Sequence, residues 1–441
     1  MKDLIIKADE LGRRQFIAHT AKTFLGVTVF TPLLARAALP PKGNQWDNDP
    51  KKKSAGGTPM RKPTARNVIF LYMSGGMTHL DTFDPKSGEV AGPVKPLETN
   101  VDGIQLSQYL PALAKKMDKI SLVRSLSTTQ GAHEQGNYYM HTSYTMRGTI
   151  AHPGLGAWIQ RHEGRTNRTL PGSVRIGGGA AGGGAGFMES RYAPLVLGSA
   201  NEGVKNSRMT VSEKEFNDRL MLAQQFDESF HQKYNQKNVR AYKDMYDDAL
   251  RLMRSEDLKA FNIGMEPSAV REAYGNNGFG QGCLLARRLV ENDVRFVEVT
   301  LGGWDTHANN FTSVERLTAS LDQALSTLLT DLDRRGLLEE TVVALCTEFG
   351  RTPVINEDDG RDHFPKAFSG LLAGGGIRGG YAYGKTDERG DNVIEGKIRP
   401  EDFNATIAYA LGLPLDQIVY SPSKRPFTVA DKGRPITELF A

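Results

Sequence analysis

Apolar residues fall in short unbroken runs, set between glycine-rich turns and longer segments of helical period. Asn67 to Met73 (NVIFLYM) is one such run and Val342 to Cys346 is another. Runs of this length, bounded by turn formers, predict strands buried on both faces of a parallel sheet. Ile120 to Arg124 and Arg295 to Thr300 (RFVEVT) predict two more strands. Between them the period lengthens. Helices are predicted over Leu106 to Lys116, over Glu134 to about Met146, over Ala269 to Glu291 with an interruption at Gly275-Asn276-Asn277-Gly278, and over Glu401 to Leu411. Leu317, Leu321, Leu325, Leu328 and Leu332 mark the inner face of a further helix. Alternating strands, loops and helices predict an α/β fold: a mostly parallel central sheet with helices on both faces. Val211 to about Phe261 is polar, helical in pattern and free of proline, and predicts an insertion of two or three helices over one edge of that core.

Composition narrows the class. Of 441 residues, 39% are hydrophobic and 24% charged, as in a soluble globular protein. The formal net charge of +4 invites a nucleic-acid reading, but residues 1–37 hold six Lys/Arg against three acids. Without them the charge is near +1, which excludes a polyanion-binding surplus. Two cysteines, Cys283 and Cys346, exclude a disulfide framework. In the leader, Arg13-Arg14-Gln15-Phe16-Ile17 precedes an apolar stretch from Phe24 to Leu34 and an Ala35-Arg36-Ala37 cleavage pattern. That order predicts a twin-arginine export signal over 1–37, hence the export machinery as a partner and a periplasmic or secreted product. The apolar stretch is too short for a stable membrane span. Residues 38–65 read as a linker to a domain over 66–441.

Candidate chemistry gathers after the strands. Beyond Arg295–Thr300 come Asp305 and His307; beyond Val342–Cys346 come Glu348 and Arg351, then Asp362 and His363; beyond Asn67–Met73 comes Asp81. Strand ends face the ligand crevice of open α/β sheets, and this oxygen and imidazole set suits zinc or manganese, one ion or two. Asp362 is either a ligand or an orienting partner of His363. His133 stands at the expected N-terminus of the Glu134 helix, where it could ligate metal, take up a proton or attack a phosphoryl group. Arg124, Arg351 and Arg361 are candidate clamps for an oxyanion. Gly177 to Gly182 spells G-x-G-x-x-G, but no helix follows it, so a loop is expected in place of a dinucleotide site.

Six motifs in order, GGMTHLDTFDPK, HEQGNYYMHTSY, GGWDTHANNF, EFGRTP, GRDHFP and LLAGGGIRGGYAYGKTDERG, resemble the exported bacterial family DUF1501 over about Asn67 to Leu413. That family is grouped with the alkaline phosphatase and sulfatase superfamily. The resemblance implies an alkaline phosphatase/sulfatase-like sandwich and metal-dependent hydrolysis of a phosphate or sulfate ester, on a small molecule or a glycan. It implies Asp305 and His307 as the Asp/His pair of a metal site, Glu348 as the carboxylate after the late strand, and His363 as the last histidine ligand. Two departures stand out. Ser74-Gly75-Gly76 occupies the place of an aspartate after the first strand, and His133 that of the hydroxyl or formylglycine nucleophile. A non-catalytic exported relative that binds metal, glycan or a partner protein is therefore the alternative expectation.

Overall fold

The computed structural model describes residues 62–440 apart from 179–181, 206, 208 and 234–236. The expected leader and most of the expected linker lie outside the described residues. The chain divides into two compact units, one of residues 57–203 with 255–441, the other containing 204–254.

The first unit is built on an eight-stranded sheet of β1 (Asn67–Ser74), β2 (Ile120–Leu126), β3 (Ser173–Ile176), β4 (Leu195–Leu197), β5 (Phe296–Gly302), β6 (Thr341–Cys346), β7 (Phe368–Ala373) and β8 (Tyr381–Tyr383). Their order is β8-β2-β7-β6-β1-β5-β3-β4. β7 runs antiparallel to both neighbours and every other pairing is parallel. The two longest apolar runs are the central strands, in register from Asn67 opposite Thr341 to Tyr72 opposite Cys346. All of β6, and all of β1 but Ser74, are buried. A strand covered on both faces has no polar side, so its sequence does not alternate.

The longer helices are α1 (His133–Thr142), α2 (Leu155–Glu163), α3 (Glu213–Lys233), α4 (Lys237–Met253), α5 (Gly278–Glu291), α6 (Asn310–Arg334) and α7 (Pro400–Ala410). Val68, Phe70 and Tyr72 of β1 share one apolar layer with Met140, Trp158, Phe403 and Ile407 from α1, α2 and α7. On the opposite face Val299, the register partner of Leu71, lies under Gly282 of α5, where a Cβ would come within 2.7 Å of its Cγ1. The expected leucines of α6 are all buried. Helices thus cover both faces of the sheet.

Three local expectations are corrected. Leu106–Lys116 is not one helix: Gln105–Ser107 forms a strand with Pro96–Glu98, and the helical turn is confined to Pro111–Ala114. Pro111 disfavours helical backbone at Leu110 before it and lacks the N–H needed inside a helix. α1 stops at Thr142, since Ser143 turns left-handed at φ 66° and donates its N–H to Tyr139 O at 2.7 Å. β7 was not anticipated, its run being interrupted by Ser369 and Gly370. In the glycine-rich loop, Gly183 leaves room for the Arg175 guanidinium, which a Cβ would approach to 2.5 Å.

The second unit contains α3 and α4, joined as a hairpin by a hydrogen bond from Arg254 Nη2 to Asn217 Oδ1 at 2.6 Å. The polar segment is expected to reach Phe261, but residues 255–261 belong to the first unit. Among the described residues no helix is long and apolar enough to cross a membrane.

Candidate metal centre

The site forms where parallel strands end and their loops fold over one another. β5 ends at Gly302, and the fully buried Trp304 donates its N–H to Ser74 O at the end of β1 (3.2 Å). Trp304 thereby fixes Asp305, whose side chain is 47% exposed. Gly75 makes this approach possible: at φ 120°, a Cβ there would sit 2.4 Å from the Asp305 amide nitrogen. Beyond β6, the ribbon of Gly350–Arg351 with His363–Phe364 pairs His363 with Arg351 and returns the imidazole to the same place. His133 arrives from the first turn of α1.

The three histidines are each tethered through Nδ1. His363 Nδ1 lies 2.8 Å from the carbonyl of Gly131, His307 Nδ1 lies 2.8 Å from Asp362 Oδ1, and His133 Nδ1 lies 2.9 Å from Glu348 Oε1. A carbonyl or a carboxylate accepts only, so in each ring Nδ1 carries a proton, and in the neutral form of the ring Nε2 offers a lone pair. Those lone pairs point at one another and at Asp305. His307 Nε2 and His363 Nε2 are 3.0 Å apart, and they lie 3.2 and 3.4 Å from Asp305 Oδ1. His133 Nε2 is 3.2 Å from Asp305 Oδ2 but is not aligned for a hydrogen bond. Acceptor facing acceptor is unfavourable unless a cation lies between them. For ligand bonds of about 2.0–2.1 Å, neighbouring donors in a tetrahedral site stand about 3.3 Å apart. The residues therefore fit a divalent transition metal. His133, Asp305 and His363 each offer an atom within 4.8 Å of the others.

The electrostatics favour the metal-ready form at Asp305 and His363 and pull His133 the other way, toward its protonated ring. Partial burial pushes the Asp305 carboxyl up, but the guanidinium of Arg351, Nη2 at 2.5 Å, and the neighbouring His133 hold it down to about 2. The hydrogen bond to Glu348 raises the His133 imidazole, with the charges of Glu348 and Asp305 adding to the effect. Burial lowers that of His363.

Two anticipated ligands are diverted. Glu348 is buried, and its Oε1 accepts from Gly75 N at 2.8 Å as well as from His133, while Oε2 lies 3.2 Å from the Tyr72 hydroxyl and 3.1 Å from that of Thr347, whose nearer acceptors are Asn137 Oδ1 and the Met73 carbonyl. It orients His133 from behind the cluster. Asp81 lies outside the cluster, holding buried Arg361 through both oxygens at 2.8 and 2.9 Å and accepting from Asn310 at 2.8 Å. Asp362 sits behind His307 as its orienting acceptor.

The expected oxyanion clamps are corrected too. Arg351 is fully buried and donates to the carbonyls of Gly75, Gly76 and Arg361 besides Asp305. Arg361 is consumed by Asp81 and the carbonyls of Val90, Thr352 and Pro353, and Arg124 by those of Phe83 and Gln105. Tyr72 was missed as a site residue. Its signal was a hydroxyl at the C-terminal end of an otherwise apolar strand, a group that needs a buried partner; its nearest acceptor is Asn137 Oδ1 at 2.5 Å, with Glu348 Oε2 behind it at 3.2 Å.

The model of the family of proteins of unknown function DUF1501 matches residues 65–440. The chain belongs to that family. Among curated proteins none matches this DUF1501 chain. Solved structures similar to it include the PsFucS1 sulfatase from Pseudoalteromonas sp., at 14% identity over 85% of this chain and 73% of that one, with a TM-score of 0.38. An alkaline phosphatase superfamily protein from Vibrio parahaemolyticus is similar at 12% identity over 86% and 72%, TM-score 0.41. Alkaline phosphatase from the Antarctic bacterium TAB5 is similar at 12% identity over 71% and 92%, TM-score 0.31. Likeness this distant carries no inference about activity.

Proposed function

We propose that this DUF1501 protein is an exported metal-dependent hydrolase of phosphate or sulfate esters. The observation that carries the reading is the convergence of the Nε2 atoms of His307 and His363 on each other and on Asp305. Asp305, His307, His363 and His133 would hold one divalent ion, zinc or manganese by the character of the donors. When bound, the ion supplies Lewis acidity toward an ester oxygen. The chain's own groups do the rest. Glu348, Asp362 and the Gly131 carbonyl fix the imidazoles in the tautomer that presents Nε2. The first-turn N–H groups of α1, beside His133, offer the positive end of a helix dipole to an anionic group. Asp305 and His307, about half exposed, leave the centre open to solvent.

The test is metal content of the purified protein, alongside Asp305→Ala and His363→Ala. Bound zinc or manganese that both substitutions abolish, followed by turnover of an aryl sulfate or aryl phosphate, supports the reading. A protein that binds no divalent ion rejects it. A second reading, a non-catalytic relative that binds metal together with a glycan or a partner protein, draws on the engagement of Arg124, Arg351 and Arg361, none of which is free to grip an oxyanion. Stoichiometric metal without turnover of any ester would favour it.

A further inference from the structure

The outer edge of the sheet carries a cleft of about 520 Å³ that takes no part in the metal centre and falls within the size range of small-ligand sites. We infer that it binds neutral sugar units of a glycan, through Tyr381 and Tyr383 of β8 and the charged groups around them.

The lining disfavours other ligands. Three cations, Lys86, Arg124 and Lys385, stand against three carboxylates, Asp84, Glu395 and Glu438, so the cleft has no net field to draw an ion of either sign. Two of the cations are also engaged. Lys86 Nζ holds Asp84 Oδ1 at 3.0 Å, and Arg124 donates to the carbonyls of Phe83 and Gln105. An added peptide strand fits no better, since β8 is three residues long and flanked by the exposed Arg378 and Lys385, the features with which edge strands resist pairing.

The groups left over are amphipathic. Among the described residues, the hydroxyls of Tyr381 and Tyr383, the ammonium of Lys385 and the carboxylate of Glu395 make no hydrogen bond or ion pair. A sugar hydroxyl both donates and accepts, so one ring can meet a carboxylate, an ammonium and a phenol side by side. Its C–H face is apolar and packs on an aromatic ring. Arg378, 4.3 Å from the centroid of the Tyr381 ring, steadies that ring. Gly396 keeps Tyr383 accessible, because a Cβ there, at φ 60°, would lie 3.1 Å from the ring.

The cleft is also placed to serve the centre. β8 runs parallel to β2, and the two reversals through β7 return β6 and β1 to that direction, so β8 ends on the same side of the sheet as the strands that carry the metal centre. It stands four places from β1, about 19 Å at the usual strand spacing. The loop leaving β1 spans that gap, with Gly75 against Asp305 at one end and Asp84 and Lys86 in the cleft at the other. Sugars that do not react can be held at the edge while an ester further along the chain reaches Asp305. That last step rests on the hydrolase reading above; sugar binding in the cleft does not.

The test is calorimetric titration of the full chain, with and without a chelator, using cellohexaose, xylohexaose, mannohexaose, laminarihexaose and maltohexaose, and hexagalacturonate and a heparin hexasaccharide as charged probes. At least one neutral hexasaccharide is expected to bind, more tightly than either charged one and regardless of the chelator. Tyr383→Ala and Glu395→Ala should each weaken that binding by about tenfold or more. Glu395 is exposed, so its truncation leaves the fold intact even where that of Tyr383 does not. The inference is overturned if none of the five binds, if a charged hexasaccharide binds more tightly, if the chelator abolishes binding, or if Glu395→Ala leaves it unchanged. Absence of bound metal defeats the hydrolase reading and leaves the sugar site standing.

Discussion

Nε2 of His307 and Nε2 of His363 face each other across 3.0 Å, although the Nδ1 proton of each ring is already given away, to Asp362 and to the Gly131 carbonyl. With both rings neutral, lone pair faces lone pair, an arrangement that holds together well only around a cation. Binding an ion should therefore stabilise the fold, by on the order of 3 kcal/mol at a hundredfold excess over Kd. A melting temperature that rises with zinc or manganese, falls with a chelator, and responds to neither in His363→Ala is the expected result.

Glu348 acts on the centre through His133, so Glu348→Gln should leave the ligand set intact and weaken ion binding by roughly 10–100-fold. A competition titration against a chromophoric chelator measures this. Unchanged affinity would remove Glu348 from any positioning role.

Asp81→Asn separates a ligand from a structural ion pair. Arg361 is fully buried and would lose its carboxylate, at a cost of about 3–5 kcal/mol in denaturant unfolding. Metal equivalents per folded chain should not change, because Asp81 contributes nothing to the cluster.

Gly75→Ala acts on both. At φ 120°, with the Asp305 amide nitrogen 2.4 Å from the added Cβ, the β1 and β5 loops must separate. Loss of more than about 1 kcal/mol of stability is expected, together with weaker ion binding as Asp305 moves. Equal affinity in a chain that still folds would show that Asp305 is placed by other means.

Acid sensitivity should trace to Glu298. Burial would raise this carboxyl, but the Arg175 guanidinium and His141 hold it to about 2, below its ordinary 4.5. A lowered folded-state value means stability that is present above pH 4.5 and lost as the pH falls toward 2, about 3 kcal/mol in all. Urea midpoints measured from pH 6 to 2.5 should fall across that window, and the fall should be shallower in Glu298→Gln.

The fold was legible wherever the reason for an element was local. Asn67–Met73 and Val342–Cys346 are apolar without alternation because both faces are covered, and the leucine spacing of α6 is that of a helix with one inward side. Leu106–Lys116 misled because pairing of Leu106 with Leu97 outweighed its helical spacing.

At the site, the sequence by itself determined which chemistry was available: carboxylates and imidazoles in the loops that follow β1, β5 and β6, glycines at the turns, and no thiolate pair. Only the tertiary structure decided which of them meet. Asp81, Glu348 and Asp362 are alike in sequence terms, yet one holds Arg361, one tethers His133 and one tethers His307, while Asp305 alone among them faces the open lone pairs. A carboxylate takes the nearest donor with the right geometry. That donor lies 280 residues away for Asp81, 215 for Glu348 and 55 for Asp362, separations that folding sets and sequence spacing does not encode.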